Sequence, residues 1–138
     1  MAGSLTLRVI TPERIVLDVT ADSVRFPGID GATGILPGHA AMVAALGPGD
    51  LSFASAGQTD SMFVSGGFAE VRENTVRVVT EASEAPTDID VDRARASAER
   101  AKERLKELTT VAGSAKVDAA RARAALQRAM ARLKVATR

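Results

Sequence analysis

The sequence contains no cysteine, no tryptophan, no tyrosine and a single histidine, His39. Without cysteine there is no disulfide framework and no thiolate metal site, and the absence fits a reducing compartment. One histidine cannot build a multi-histidine centre, so no metal site is expected. Aromatic residues make up 3%, all phenylalanine: Phe26, Phe53, Phe63 and Phe68. They stand in strand-like runs and are expected in a core, not as stacking platforms for single-stranded nucleic acid. Charge of one sign is also lacking. Lysine plus arginine number 18 against 17 acids, a net charge of +1, so no global field favours nucleic acid and none is expected as a partner. No apolar run approaches the roughly 20 residues that span a bilayer, and MAGSLTLRVITPER lacks the basic, apolar and cleavage regions of a signal peptide. A soluble protein that stays where it is made is the expectation. There is no Walker-type GxxxxGK[ST] run. His39 has no serine, cysteine or acid beside it that forms a nucleophile constellation, which argues for a contact or structural role and against an enzyme.

What is present is unevenly spread. The chain has 138 residues, 46% hydrophobic and 25% charged, the balance of a protein that folds. Of eleven glycines only Gly113 follows Gly67. Up to about residue 84 apolar and polar residues alternate between glycines, as in antiparallel strands. After it alanine, arginine, lysine and glutamate take over, as in helices. The stretch Glu84 to Ala94, EAPTDIDVDRA, is the hinge between the two regimes. We read one domain over 1–84 and a second over 85–138.

In the first, Leu5, Leu7 and Val9 alternate with Thr6, Arg8 and Ile10 as a strand whose odd positions face a core. Ile15 to Phe26 reads as a second strand, stopped by Pro27, Gly28, Ile29, Asp30 and Gly31. Gly34-Ile35-Leu36-Pro37-Gly38-His39-Ala40 should hold one tight shape, because glycine permits positive φ and proline fixes it. Ala41–Leu46, Leu51–Ala54 and Met62–Val64 read as further strands. Ser65-Gly66-Gly67 suggests a bulge or a close backbone approach, and Phe68–Arg72 and Val76–Val79 complete a β-sandwich or flattened barrel.

In the second, Asp90 is a plausible N-cap for a helix with apolar positions Val91, Ala94, Ala98, Ala101, Leu105 and Leu108. Thr109 to Ala112 interrupt it, and Gly113 with Ser114 supply a stop and a new cap. A second seam follows at Ala119, Ala122, Leu126, Ala129, Leu133 and Ala136. Two helices of roughly 18 residues with so short a loop form an antiparallel αα-hairpin about 27 Å long. Arg93, Arg100 and Arg104 are spaced seven and four apart, as are Arg121, Arg128 and Arg132. Both triplets flank their seams in the same way, so a closed hairpin brings arginines together along one edge. They are either two solvated stripes, partly offset by Glu99, Glu103 and Glu107, or an anion site.

Four ordered blocks, GILPGHA at Gly34–Ala40, SGGFAEV at Ser65–Val71, IDVDRA at Ile89–Ala94 and QRAMARL at Gln127–Leu133, resemble the epsilon subunit of bacterial F-type ATP synthase. The resemblance implies an α+β fold, a β-sandwich of about ten strands followed by the helical hairpin. It implies a non-catalytic subunit of the central stalk, at the cytoplasmic face of the bacterial plasma membrane and peripheral to it. The sandwich would bind the gamma subunit and the c-ring, supporting proton-driven ATP synthesis. The helical arm would regulate ATP hydrolysis by moving between a folded hairpin and an extended form that reaches the catalytic head.

By the same resemblance, Asp30, Gly31, Ala32, Leu36, Pro37, Gly38 and His39 are the expected contacts with gamma and the c-ring. The family often carries an acid between the glycines before GILPGHA. Gly31-Ala32-Thr33-Gly34 has none, and Asp30 is the candidate substitute. No cofactor is required, but ATP is implied as a regulatory ligand of the folded hairpin through Glu84, Ile89, Asp90, Arg93, Ala94, Arg100, Arg128 and Arg132. The alternative is a free-standing β-sandwich adapter that dimerises through its hairpin, which the seams allow but which leaves the hinge motif without a role.

Overall fold

Leu5, Leu7 and Val9 have no exposed surface, while Thr6, Arg8 and Ile10 between them are half-buried, so the first strand turns its odd residues to a core. The computed structural model describes the backbone of residues 3–108 and 115–137, and the side chains of all of these except 115–117. The chain divides into two units, Met1–Ala85 and Pro86–Arg138.

The first unit holds ten strands: β1 (Leu5–Ile10), β2 (Ile15–Ala21), β3 (Ser23–Gly28), β4 (Gly31–Ile35), β5 (Met42–Leu46), β6 (Gly49–Ser55), β7 (Gln58–Val64), β8 (Gly67–Arg72), β9 (Thr75–Val79) and β10 (Ser83–Glu84). They are hydrogen-bonded in the order β10-β7-β6-β3-β5-β8-β9-β1-β2, with β4 on β3. The β3–β5 link is one residue pair, Gly28 with Leu46. The ladder therefore folds over there into two layers. Val24, Phe26, Ile35, Leu51, Phe53, Met62 and Val64 of one layer form a single buried cluster with Leu5, Leu7, Val9, Ala69, Val71, Val76 and Val78 of the other. This is a β-sandwich, antiparallel throughout except for the parallel pair β1–β9.

Two strand expectations change. The run Ile15 to Phe26 is not one strand, because it breaks at Asp22 between β2 and β3. There the chain exchanges β1 for β6 as partner: the Asp22 N–H donates to Ala54 O at 2.7 Å, and its carboxylate accepts from the Ala56 N–H at 3.2 Å. Phe68 is not core; it is 41% exposed, whereas Phe26, Phe53 and Phe63 are buried. Gly67, at φ 105°, is a close backbone approach, since a Cβ there would lie 1.9 Å from Val79 O.

The second unit opens with a 3-10 turn, Pro86–Asp88, followed by α1 (Val91–Leu108) and α2 (Ala115–Ala136). Asp90 caps α1: its Oδ1 accepts from the Arg93 N–H at 3.0 Å, and its carbonyl takes the Ala94 N–H at 3.0 Å. The two helices pack against each other, and the late part of α1 meets the early part of α2, as in an antiparallel hairpin. Ala94, Ala98 and Ala101 of α1 and Ala122 and Ala129 of α2 are buried. Of the second seam, Leu126, Leu133 and Ala136 are only half-buried, and Val135 is fully buried instead. The 3-10 turn lies alongside α2, which widens the covered face beyond the heptad stripe. The expected interruption at Thr109–Ala112 and the Gly113–Ser114 stop lie outside the described residues.

Candidate functional site

On the outer face of one sandwich layer the register aligns residues across five strands. Ile10 of β1 pairs with Ile15 of β2 and with Val79 of β9, Val79 pairs with Phe68 of β8, and Phe68 pairs with Ala45 of β5. Directly paired residues share a face. The result is an apolar row, with Ile15 55% and Phe68 41% exposed. The next row on this face is charged: Asp18, Arg8, Arg77 and Glu70, with Arg8 Nε and Asp18 Oδ2 3.4 Å apart. Beside the apolar row is a groove of about 380 Å³ lined by Ile10, Pro12, Gly67, Phe68 and Val79 among others.

The wall of that groove is held by Ser65 and Thr80. The Ser65 N–H donates to Ala82 O at 3.0 Å, the Ala82 N–H donates to Ser65 Oγ at 3.0 Å, and Thr80 Oγ1 donates to Ala82 O at 3.2 Å. This scaffold satisfies polar groups at the sheet end, so the row above it can be apolar without orphaned backbone. Pattern reasoning missed the row. Its signal was available only as outward-facing apolar positions in alternating strands, and the strand register was needed to align them.

The residues expected at an interface fall into two groups. Asp30 lies in the turn joining β3 to β4, with Gly31 and Ala32 opening β4, all exposed. The neighbouring Ile29 is 66% exposed, and its N–H donates to Ala45 O at 3.0 Å, which puts this turn at the end of the apolar row. Leu36, Pro37, Gly38 and His39 follow β4 at its other end, about 13 Å of extended strand away. There the Gly38 N–H donates to Asn74 Oδ1 at 2.7 Å, the His39 N–H donates to Leu36 O at 3.2 Å, and His39 Nδ1 lies 2.7 Å from Ala40 O. Leu36 is 65% exposed on this tight turn. The seven residues expected to make contacts fall into two groups at opposite ends of β4, not one patch.

The residues implied for ATP are likewise dispersed. Glu84 sits in β10, paired with Phe63, in the first unit. In the second, Ile89 and Ala94 are buried, Asp90 is committed to its cap, and Arg93 is exposed on the first turn of α1. Arg128 and Arg132 are half-buried on α2. Arg100 is the one member of this set that lines the open groove between the helices, together with Ser97, Ala101, Arg104, Asp118, Arg121, Ala122 and Ala125. Glu99 and Glu103 do not offset these arginines. They pair with Lys102 at 3.5 Å and Lys106 at 3.7 Å along α1. Among the described residues no group of three or more metal-binding side chains occurs, and no helix is long and apolar enough to cross a membrane.

A family model of the ATP synthase delta/epsilon chain β-sandwich domain matches residues 4–86, and one of the long α-helix domain of the same chain matches residues 87–137. The chain belongs to the ATP synthase delta/epsilon chain family. The ATP synthase epsilon chain of Nitratidesulfovibrio vulgaris is 47% identical over 108 residues, covering 78% of this chain and 81% of that one. That of Carboxydothermus hydrogenoformans is 44% identical over 109 residues, covering 79% and 81%. Among solved structures, a chain of the Euglena gracilis mitochondrial ATP synthase assembly of OSCP, F1 and c-ring superposes with a TM-score of 0.81 at 22% identity, covering 98% of this chain and 82% of that one. A chain of the Tetrahymena thermophila central stalk and c-ring gives 0.58 at 14% identity, covering 99% and 96%. At such identities these two likenesses speak to the fold.

Proposed function

We propose that this protein is the epsilon-type subunit of the central stalk of a bacterial F-type ATP synthase, peripheral to the cytoplasmic face of the plasma membrane and without catalytic groups of its own. The sandwich joins the gamma subunit to the c-ring, and the helical unit regulates ATP hydrolysis. The observation that carries this reading is the outward apolar row Ile15–Ile10–Val79–Phe68–Ala45. A row of apolar side chains on the outside of a small β-sandwich, bordered by charges, marks a surface that a partner covers. The similarity to relatives named epsilon chain of ATP synthase supports a rotor subunit as that partner. The two turns at the ends of β4 supply a second contact, in keeping with two partners.

The helical unit suits regulation because its interface is made of alanine. Small side chains bury little area at about 25 cal/mol per Å², so folded and extended forms can lie close in free energy. ATP, taken up by the folded form through the arginines of the helical unit, shifts that balance by its difference in affinity for the two forms.

Coexpression with gamma and the c-ring tests both halves. Phe68→Glu is expected to lower the recovered complex by about tenfold while leaving the sheet signal in circular dichroism unchanged. A chain ending at Ala85 is expected to copurify and to change the rate of ATP hydrolysis by the assembled enzyme. Undiminished recovery with Phe68→Glu would remove the docking assignment, and a rate indifferent to the helices would remove the regulatory one.

A further inference from the structure

The turn that carries Leu36, Pro37, Gly38 and His39 takes the chain from β4, which pairs with β3, to β5, which pairs with β8 in the other layer. It belongs to no strand, so its shape depends on a few hydrogen bonds. Within it the His39 N–H donates to Leu36 O at 3.2 Å. Ala40 O can only accept, which fixes a proton on His39 Nδ1, 2.7 Å away. Gly38 stands at φ 86°, in the left-handed region. A bond to the rest of the sandwich runs from the Gly38 N–H to Asn74 Oδ1 at 2.7 Å, across 36 positions of sequence.

Asn74 is itself held in place. With Glu73 it closes the β8–β9 hairpin, and both residues have positive φ, 49° for Glu73 and 60° for Asn74. Two consecutive left-handed residues make the tight primed turn that matches strand twist, and its second position is where glycine is favoured. The chain keeps asparagine there instead. The Asn74 carbonyl accepts the Thr6 N–H of β1 at 2.8 Å, and the residue is half-buried while Glu73 is exposed. Its Oδ1 is therefore a fixed acceptor, anchored through the backbone to β1 and bonded through the side chain to the turn after β4.

We propose, on the reading of this turn as a contact with the rotor subunits, that Asn74 is a positioning residue for docking. It pins the Leu36–His39 turn in its binding shape, so that Leu36, 65% exposed, is offered to the partner on a rigid mount. A free turn loses backbone and side-chain freedom when a partner closes on it, and that loss weakens binding. A turn already pinned in the unbound protein loses less. Asn74 acts through Gly38 and not by touching the partner.

Asn74→Gly separates the side chain from the backbone, because glycine takes φ 60° freely and lacks only the acceptor. In the full chain, exchange of the Gly38 amide is expected to speed up by more than about tenfold, and affinity for a purified complex of gamma and the c-ring to fall about fivefold. The sandwich should still unfold in one cooperative transition. Asn74→Asp keeps an acceptor oxygen in the same place and should stay within about twofold of the parent in both measurements, a rescue that general loosening of the hairpin would not show. Leu36→Glu leaves the Asn74 bond intact and is expected to weaken binding by more than about tenfold. Binding that falls with Leu36→Glu yet withstands Asn74→Gly overturns the positioning role alone. Binding that withstands Leu36→Glu removes the contact reading of this turn, and the positioning role with it.

Discussion

The two units of this chain are held together by different kinds of side chain. The sandwich buries leucine, valine, isoleucine and phenylalanine, including Leu5, Leu7, Phe26, Ile35 and Val78 at 1% exposure or less. The helical unit buries Ala94, Ala98, Ala101, Ala122 and Ala129, with Ile89 and Val135 the larger exceptions. A buried leucine contributes about 2 kcal/mol and an alanine methyl well under half of that. One polypeptide thus makes a body that resists opening and a helical pair whose closure is a small free-energy difference.

That contrast can be broken at its strongest point first. Gly67→Ala places a Cβ against Val79 O in a backbone region that only glycine adopts easily. It is expected to cost more than about 3 kcal/mol or to abolish folding of the sandwich. Soluble yield and urea midpoint report the result, and a midpoint within error of the parent contradicts the close approach.

A paired test then sharpens the difference between the units. Leu7→Ala is expected to destabilise the sandwich by about 3 kcal/mol, from lost burial plus a cavity. Ala98→Gly in the hairpin interface is expected to cost the helices about 1 kcal/mol and leave the sandwich transition where it was. Equal losses in two-probe urea melts would mean that the units unfold as one. An effect of similar size to that of Ala98→Gly is expected at the hinge. Asp90→Ala removes the acceptor of the Arg93 N–H and should lower helical stability by about 1 kcal/mol. Asp90→Ser, which can restore the cap, should recover most of it, and amide exchange at the first turn of α1 reads both.

Much of the fold was legible because local rules and tertiary demands agree. Period-two burial in β1 reads directly as Leu5, Leu7, Val9, and the alanine heptads of α1 read as its buried stripe. The Asp90 cap and the Gly66–Gly67 approach were legible for the same reason, since each depends on backbone chemistry within a few residues. The break at Asp22 was not, because a strand that changes partner keeps its β-branched composition. Phe68 was assigned to the core by residue type alone, yet its neighbours in space make it surface. The split of the expected interface residues to opposite ends of β4, and the gathering of Arg100, Arg104 and Arg121 without Arg93, were equally hidden.

Composition and periodicity alone therefore determined that strands precede helices, where the change of regime falls, and which residues β1 and α1 turn inward, since those depend on spacing along the chain. The sequence also carried the four blocks by which its family is recognised. Only the tertiary structure decided which outward residues stand side by side. The apolar row exists through the register of five strands, and the arginine groove through the packing of two helices. Proximity between residues far apart in sequence is set by pairing and packing, and no local periodicity encodes it.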